Sequence, residues 1–322
     1  AGPQVAPPLC SGCAVDFTQL LQNMTNGVAK GSCYALVAVG YTMVYGVLQL
    51  INFAHSDVYM LGAYFAYWPA KWMGYLPDEK GGRAQDVPLA LVGLFVVGSM
   101  VACAAVGALI ERAAYRPLRN SGRLAPLITA IGVSLLLEYG GQMVFGTEPR
   151  LFPTFVEAQS YDVGGVKFAN TSIIIVVTAA VLMGALTLFV NHTRQGRALR
   201  AVSHSFNNAR LMGINVNATI TMTFMLGSSL AAVGGILVAM DQPTITPLMG
   251  LRMGLKAFVA AVLGGIGSIP GAALGGLLLG VSESVVAYWS TTYSEAVAFL
   301  ILIGVLLVRP AGILGSSARE KV

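Results

Sequence analysis

The sequence predicts an all-α polytopic membrane protein, and three observations carry that prediction. Charged residues make up only 10% of the 322 positions, where a soluble domain carries roughly a quarter. The mean hydropathy is +0.72, and several uncharged runs are long enough to cross a hydrocarbon core of about 30 Å as helices. The 38 glycines fit the same class, because small residues let membrane helices approach closely. Counting such runs gives about eight transmembrane helices, between about seven and nine. A pI near 9.1 would suggest nucleic acid in a soluble protein. Here the positive charge sorts by membrane side, so the expected partner is the lipid bilayer and no nucleic acid is expected.

Taken in order, residues 1–16 read as a flexible extracytoplasmic tail, rich in proline and glycine and without lysine or arginine. The tail has neither the basic start nor the apolar centre of a signal peptide. Cys10 and Cys13 form a C-x-x-C pair with no second pair and no histidine nearby, so no metal site is expected. Cys33 and Cys103 lie in apolar runs and read as small packing residues. Residues 17–310 read as one transmembrane domain, and 311–322 as a cytoplasmic tail.

The first span covers about 17–48, with Gly27, Gly31, Gly40 and Gly46 along it. It ends in LQLINFAHSDVYML, where Asn52, His55, Ser56 and Asp57 interrupt the apolar pattern. Such a break is either enclosed by protein, as a pathway lining or gate, or is an interfacial turn with Asp57 capping the next helix. A second span follows over 58–75 and a third over 88–110. The third leads into ERAAYRPLRNSGRLAP, read as a loop holding Arg112, Arg116, Arg119 and Arg123. The fourth span, 124–145, carries Glu138 in its interior. In the long loop at 146–170, YDVGGVKF predicts a β-hairpin turning at Gly164 and Gly165. A fifth span occupies 171–190.

Residues 191–217 form a basic island with Arg194, Arg197, Arg200 and Arg210 and no acid. Its centre, 198–213, predicts one short amphipathic helix. Leu199, Val202, Phe206 and Ala209 recur at helical spacing, with Arg200, His204, Asn207 and Asn208 on the other face. Gly213 stands where a helix C′ glycine belongs. A helix of this kind, docked flat under a membrane domain, can transmit force from a soluble partner; an ordinary interfacial loop held by arginines also fits. The sixth span, 218–240, has no charged residue. Residues 255–288 are too long for one span and are broken by GGIGSIPGA, with Gly264, Gly265 and Gly267, which predicts a hairpin of two helices or half-helices. A last span covers 296–308 and begins near Tyr293.

Orientation follows from the arginines and lysines. The 111–125 segment, the basic island and the C-terminal tail hold eleven of them against two acids, Glu111 and Glu320. The N-terminal tail and the other loops hold Lys80, Arg83, Arg150, Lys167 and Arg252 against eight acids. The first group is expected in the cytoplasm, the N-terminus outside, and the number of crossings odd. Residues 255–288 either cross twice or form a re-entrant hairpin.

No G-x-x-x-x-G-K-[ST] phosphate loop occurs, so this chain is not itself an ATPase. A proton-coupled secondary transporter needs a relay of buried ionisable residues, and Glu138, Lys256 and Glu283 are scattered along the chain. An intramembrane hydrolase would need a base aimed at Cys33 or Cys103, and only His55 offers one.

Several stretches together carry a family resemblance: GSCYALVAVGYTMVYGVLQLINFAHSDVYMLGAY, ERAAYRPLR, LITAIGVSLLLE, LMGINVN, GLKAFVAAVLGGIGSIPGAALGGLLLG and the ending RPAGILG. In this order they resemble the LivH-type permeases, membrane subunits of the ATP-binding-cassette importers for branched-chain amino acids, over about residues 16–322. The resemblance implies a bacterial inner-membrane complex. Its other parts would be a second, LivM-like permease, two cytoplasmic ATPases that bind ATP-Mg, and an external amino-acid-binding protein; this chain would hold no cofactor. Relatives that carry urea or short amides are the alternative within that group. The basic island, as segment 192–217, falls where such permeases contact the ATPases, which makes Arg197, Arg200, Val202, Phe206, Asn207, Ala209 and Gly213 the candidate coupling residues. Asn52, His55, Asp57, Gly264, Gly265 and Gly267 are candidates for the pathway or its gate. Three departures stand out. The Glu-Ala-Ala-x-x-x-Gly coupling pattern is met by Asn207, Asn208, Ala209 and Gly213, without the acid. Ser56 replaces a glycine, and Glu138 stands where relatives tend to carry an amide. The tail has no counterpart in the family, so Val15 is the expected start of the native chain.

Overall fold

The computed structural model describes residues 17–50, 52–76, 87–119, 121–122, 124–156, 159–309 and 311–315. The C-x-x-C pair, Lys80, Arg83, Arg123, Arg319 and Lys321 lie outside them. The helices are α1 (Phe17–Leu48), α2 (His55–Trp72) and α3 (Leu89–Ile110), which runs on through a π-helical turn (Glu111–Tyr115) into α4 (Arg116–Leu118). Then come α5 (Leu124–Phe145), β1 (Arg150–Leu151), β2 (Ser160–Val163), β3 (Val166–Ala169) and α6 (Asn170–His192). The basic island holds α7 (Arg194–His204) and α8 (Phe206–Leu211), followed by α9 (Val216–Asp241) and β4 (Thr244–Ile245). The chain closes with α10 (Met249–Gly264), α11 (Ile269–Trp289) and α12 (Thr291–Val308). Seven helical stretches among the described residues are long and apolar enough to cross a membrane. The fold is an all-α polytopic membrane bundle.

Local chemistry sets many of the boundaries. Thr193 opens α7 by accepting the Gly196 N–H at 2.9 Å, and Asn215 opens α9 by accepting that of Ala218 at 3.1 Å. Ser268 opens α11 with Pro270 in the first turn, where a missing N–H costs nothing. The predicted hairpin is present: Val163 pairs with Val166 across Gly164 and Gly165, whose φ of +64° and +86° give the mirror-image turn that matches strand twist.

α1 is the axis of the bundle, and from Ser32 to Val44 every residue on it is buried. Its N-terminal half crosses α11 on four glycines, Gly27 and Gly31 against Gly276 and Gly280. A Cβ on Gly27 would lie 2.8 Å from the Val281 Cα, and one on Gly31 2.8 Å from the Leu277 Cα. That distance leaves room for backbone against backbone and nothing more. α3, α5, α6 and α12 surround this centre with exposed apolar faces, such as Val101, Leu136, Val181 and Leu307, as lipid contact requires. α2 lies inside them, buried without interruption from His55 to Tyr64.

The bundle has two distinguishable ends. At the hairpin end, the Gln22 amide on α1 clamps Lys167 of β3, accepting its N–H at 2.7 Å and donating to its carbonyl at 2.8 Å; β1 pairs with β4 nearby. At the basic end, Arg119 donates to Asn217 at 2.8 Å, and the Leu314 N–H reaches the Gly264 carbonyl at 2.9 Å.

Three expectations are corrected. The island holds two helices rather than one over 198–213. Ser205 is extended between them (φ −163°, ψ 122°), and its hydroxyl accepts the Asn208 N–H at 3.3 Å. A short polar side chain that can bond its own backbone prefers a cap to a helix interior. The segment after the third span is helical to Leu118 rather than a loop. Asp57 does not cap α2: that position is Ala54, which makes no side-chain cap bond, and Asp57 is buried within the first turn.

The glycine crossing predicts an asymmetry between two helical glycines. Gly31→Leu should lose most of the folded protein or lower its thermal midpoint in detergent sharply, since overpacking costs about 1–3 kcal/mol even where the backbone can yield. Gly132→Ala on α5, where an added Cβ meets nothing within 4 Å, should leave the midpoint equal or slightly raised. Equal midpoints for Gly31→Leu and the parent would show that the crossing does not hold the bundle together.

Candidate functional site

The polar break begins where α1 unwinds. Gln49 takes a left-handed φ of 57°, and the chain then turns on itself. The Asn52 carbonyl accepts the His55 N–H at 3.2 Å, and that of Ala54 accepts the Asp57 N–H at 3.2 Å. Asn52, His55, Ser56 and Asp57 are all buried, so the break is enclosed by the bundle. Tyr115, on the π-helical turn, donates its hydroxyl to Asn52 Oδ1 at 2.9 Å. Ser134 on α5 donates to Asp57 Oδ2 at 2.5 Å. The His55 ring stands edge-on to Tyr41 at 4.8 Å and fills the space above Gly40, where a Cβ would come within 2.6 Å of Cε1. α10 closes the other side: a Cβ on Gly250 would lie 2.9 Å from Asp57 Oδ1. His55 Nε2 and Asp57 Oδ1 have no hydrogen-bond partner among the described residues. The structure therefore brings Asn52, His55 and Asp57 together where α1, α2, α5 and α10 meet.

The glycine-proline breaker lies apart from them, at the basic end. Gly265 (φ +104°) and Gly267 (φ +98°) reverse the chain between α10 and α11. Its backbone groups are used inside the chain. The Gly265 N–H donates to the Ala261 and Val262 carbonyls, while the Leu263 and Gly264 carbonyls accept the Ile313 and Leu314 N–H groups at 2.9 Å each. Ile313 and Leu314 thus dock back on the breaker as a short backbone brace. Gly267 is exposed, and a Cβ there would meet nothing within 4 Å.

Beside the breaker lies the basic island. Leu199, Val202 and Ala209 are buried and Phe206 is half-buried against the core of this same chain. Arg200, His204, Asn207 and Asn208 are exposed, as the helical spacing predicts, and so is Arg197. Arg200 donates from Nη1 to Asn191 Oδ1 at 3.0 Å, tying α7 to the end of α6. Gly213 has φ +77° and follows the cap of α8, where the sequence places a C′ glycine. An open pocket of about 270 Å³ lies between the end of α1, α6, α7 and the breaker, with Gly46, Asn191, Arg200, Ser203 and Gly267 among its walls.

Sequence reasoning missed four features. Leu211 and Met212 are 86% and 81% exposed at the tip of the island; two large apolar residues just before a terminating glycine, outside the buried stripe, were the available signal. Lys256 and Glu283, far apart in sequence, form an ion pair at 2.7 Å, with Tyr34 donating to Glu283 at 2.8 Å and Lys30 at 3.8 Å. They join α1, α10 and α11 and are paired rather than scattered; no spacing rule reveals that. Ser134, which holds Asp57, carries no sequence mark of its own. Glu111 is fully buried beside Arg116 at 3.2 Å and Arg119, and Thr221 donates to it at 2.7 Å. The π-helical turn causes this: bonding from i to i+5 places Arg116 above Glu111, where α-helical spacing would place Tyr115. Two of the arginines of the ERAAYRPLR stretch are therefore paired with a buried carboxylate, Arg119 mostly buried and Arg116 partly exposed, and Arg112 is exposed. Among the described residues no group of histidine, cysteine and carboxylate side chains is placed to hold a metal.

Removing one partner of a buried ion pair costs about 3–5 kcal/mol because the other charge is left uncompensated. Glu111→Ala should lower the thermal midpoint of the purified protein in detergent markedly. Arg112→Gln, on the same turn, should shift stability by less than about 0.5 kcal/mol. Equal midpoints for Glu111→Ala and the parent would mean that this cluster is not a structural tie.

Comparison with known proteins accounts for this arrangement as a whole. Residues 23–306 match the family described as branched-chain amino acid transport system / permease component. The high-affinity branched-chain amino acid transport system permease protein BraD of Pseudomonas aeruginosa is 45% identical over 94% of this chain and 98% of its own. LivH of Escherichia coli, a high-affinity branched-chain amino acid transport system permease protein, is 44% identical over 95% of this chain and 99% of its own. More distantly, the autoinducer 2 import system permease protein LsrC of Enterobacter is 30% identical over 65% of this chain and 62% of its own. The match runs through the polar break, the basic island and the glycine-proline breaker alike, and the chain belongs to the family of branched-chain amino acid transport system permease components.

Proposed function

We propose that this chain is one of two permease subunits of an ATP-driven importer in a bacterial inner membrane, passing leucine, isoleucine and valine inward. The observation that carries the reading is similarity at 44–45% identity over nearly the whole chain to permeases named for that transport. Likeness to LsrC extends to a permease named for another cargo, so the substrate assignment rests on the closer similarity and not on the fold. The partners are a second, LivM-like permease, an external binding protein that delivers the amino acid, and two ATPases that bind ATP-Mg. The basic end faces the cytoplasm, with Arg112, Arg194, Arg197 and Arg210 exposed there, and the N-terminus lies outside.

In this reading the ATPases dock on the island. Its buried stripe of Leu199, Val202 and Ala209 belongs to the permease, so α7 and α8 move with the ends of α1, α6 and α9 against which they pack. The surface offered to an ATPase is the polar face, Arg197, Arg200 and Asn207, with Leu211 and Met212 projecting at the tip. A displacement of α7 reaches α1, whose outer half is locked to α11 by glycines, and so biases the break at residues 52–57. There Asn52, His55 and Asp57 supply polar groups in an otherwise apolar passage, which suits a zwitterion with an apolar side chain.

The complex reconstituted with its ATPases and binding protein should take up leucine only when ATP is hydrolysed. Isoleucine and valine should compete, and urea and acetamide should not. Competition by urea in place of leucine would establish the amide alternative, and uptake driven by a proton gradient alone would overturn the ATP-driven reading. Replacing Leu211 and Met212 together by serine should reduce ATPase recovery with the permease, or uncouple hydrolysis from uptake, by about tenfold or more, the scale of losing an apolar anchor. Phe206→Ala should instead lower the stability of the permease itself.

A further inference from the structure

The first turn of α2 lies on a seam between two sets of helices. On one side hydrogen bonds hold α2. Ser99 of α3 donates to the Gly62 carbonyl at 2.7 Å and Cys103 to that of Val58 at 3.6 Å, while Ser134 of α5 donates to Asp57 at 2.5 Å. On the other side stands α10, which Lys256 ties to Glu283 of α11 at 2.7 Å and to Tyr34 of α1 at 3.5 Å. α10 meets α2 through two glycines. A Cβ on Gly254 would lie 2.6 Å from Ser56 Oγ, and one on Gly250 2.7 Å from the Ser56 carbonyl oxygen and 2.9 Å from Asp57 Oδ1. A helix face without side chains can part from its neighbour with nothing to withdraw. What the seam covers is the second observation. Asp57 is fully buried, and the oxygen facing Gly250 has no hydrogen-bond partner among the described residues. No lysine or arginine among those residues pairs with it, because Lys30 and Lys256 are committed to Glu283 and Arg116 and Arg119 to Glu111. A buried carboxylate left in this way lacks the cation or donor such a group requires.

We infer that this seam is a gate: α10 draws away from the first turn of α2 during transport, and Asp57 Oδ1 then accepts a hydrogen bond from the ammonium group of the amino acid. The inference rests on the function proposed above. Tyr41 stands at the open side of the seam. Its hydroxyl lies 3.2 Å from a Cβ built on Gly254, and with Tyr45, Phe258, Ala261 and Ile266 it lines a recess of only about 10 Å³. That is room for about one water, so the closed seam excludes an amino acid. Parting it joins the apolar recess, which suits a branched side chain, to the carboxylate behind.

The test follows a single thiol at the seam. Cys10 and Cys13 are changed to serine and Ser56→Cys is introduced, with Cys103 kept as an internal control. Cys103 touches the same turn from the α3 side and is fully buried. The whole complex in lipid nanodiscs, open to reagent on both faces, is treated with a small methanethiosulfonate, and modification is read by peptide mass. The cysteine at 56 should react at least tenfold faster with ATP and leucine-loaded binding protein than at rest, and Cys103 should stay unmodified in both. In a second measurement, Asp57→Asn should keep the thermal midpoint and lower leucine uptake into proteoliposomes about tenfold or more, the effect of one hydrogen bond to a charged group. Leucine uptake with no change in reactivity at 56 would overturn the gate and leave the transport function standing. So would modification of Cys103 in step with 56, which would mean that the whole break loosens. Asp57→Asn with full uptake, or with a lowered midpoint, would overturn the ammonium contact. A parent complex that takes up no leucine would overturn the transport function itself.

Discussion

Lipid is as apolar as leucine, so burying apolar side chains does not by itself hold a membrane bundle together. What holds this one is close backbone approach around α1. Gly27 and Gly31 on α1 and Gly276 and Gly280 on α11 bring the two helices together at distances that leave no room for a Cβ. Farther along, Gly40 admits the His55 ring. Just beyond the C-terminal end of α1, Asn52, His55, Ser56 and Asp57 are enclosed by the bundle, so partners for their polar groups must come from protein, as Tyr115 supplies for Asn52 and Ser134 for Asp57.

The second consequence of burial is that ionisable groups are tied across helices. Glu283 gathers Lys256, Lys30 and Tyr34 from α10 and α1, and Glu111 gathers Arg116, Arg119 and Thr221 from the end of α3 and the start of α9. Both carboxylates are compensated by cations and hydrogen bonds, which is the condition for keeping a charge in such a place. Asp57 differs, since Ser134 satisfies one oxygen and the other has no partner among the described residues. The polar break is thus less fully satisfied than the two tied clusters.

Much of this was legible in the sequence because the bilayer imposes simple rules. Span lengths, the Gly164–Gly165 hairpin, the breaker at Gly264–Gly267 and the terminating Gly213 all follow from hydrophobic run length and from glycine's access to positive φ. What the sequence hid were consequences of tertiary partners. Ser205 splits the island because its side chain bonds the next turn. The π-helical turn at Glu111 brings Arg116 and Arg119 onto a buried carboxylate and turns an apparent basic loop into a tie. Asp57 reads as a cap in one dimension and is a bundle contact in three. The island's apolar stripe stands out in sequence, whereas the significance of the exposed tip at Leu211 and Met212 is visible only once the stripe is seen to rest on the chain's own core.

The proposed coupling depends most on which end of the bundle faces the cytoplasm. A single cysteine at Gln195, on the exposed first turn of α7, and another at Gln159, beside the hairpin, probe the two ends directly. In intact cells whose outer membrane alone is permeabilised, an impermeant thiol reagent should label the cysteine at 159 and spare the one at 195 until the inner membrane is opened. Labelling at 195 from outside would reverse the orientation and contradict the coupling role of the basic end.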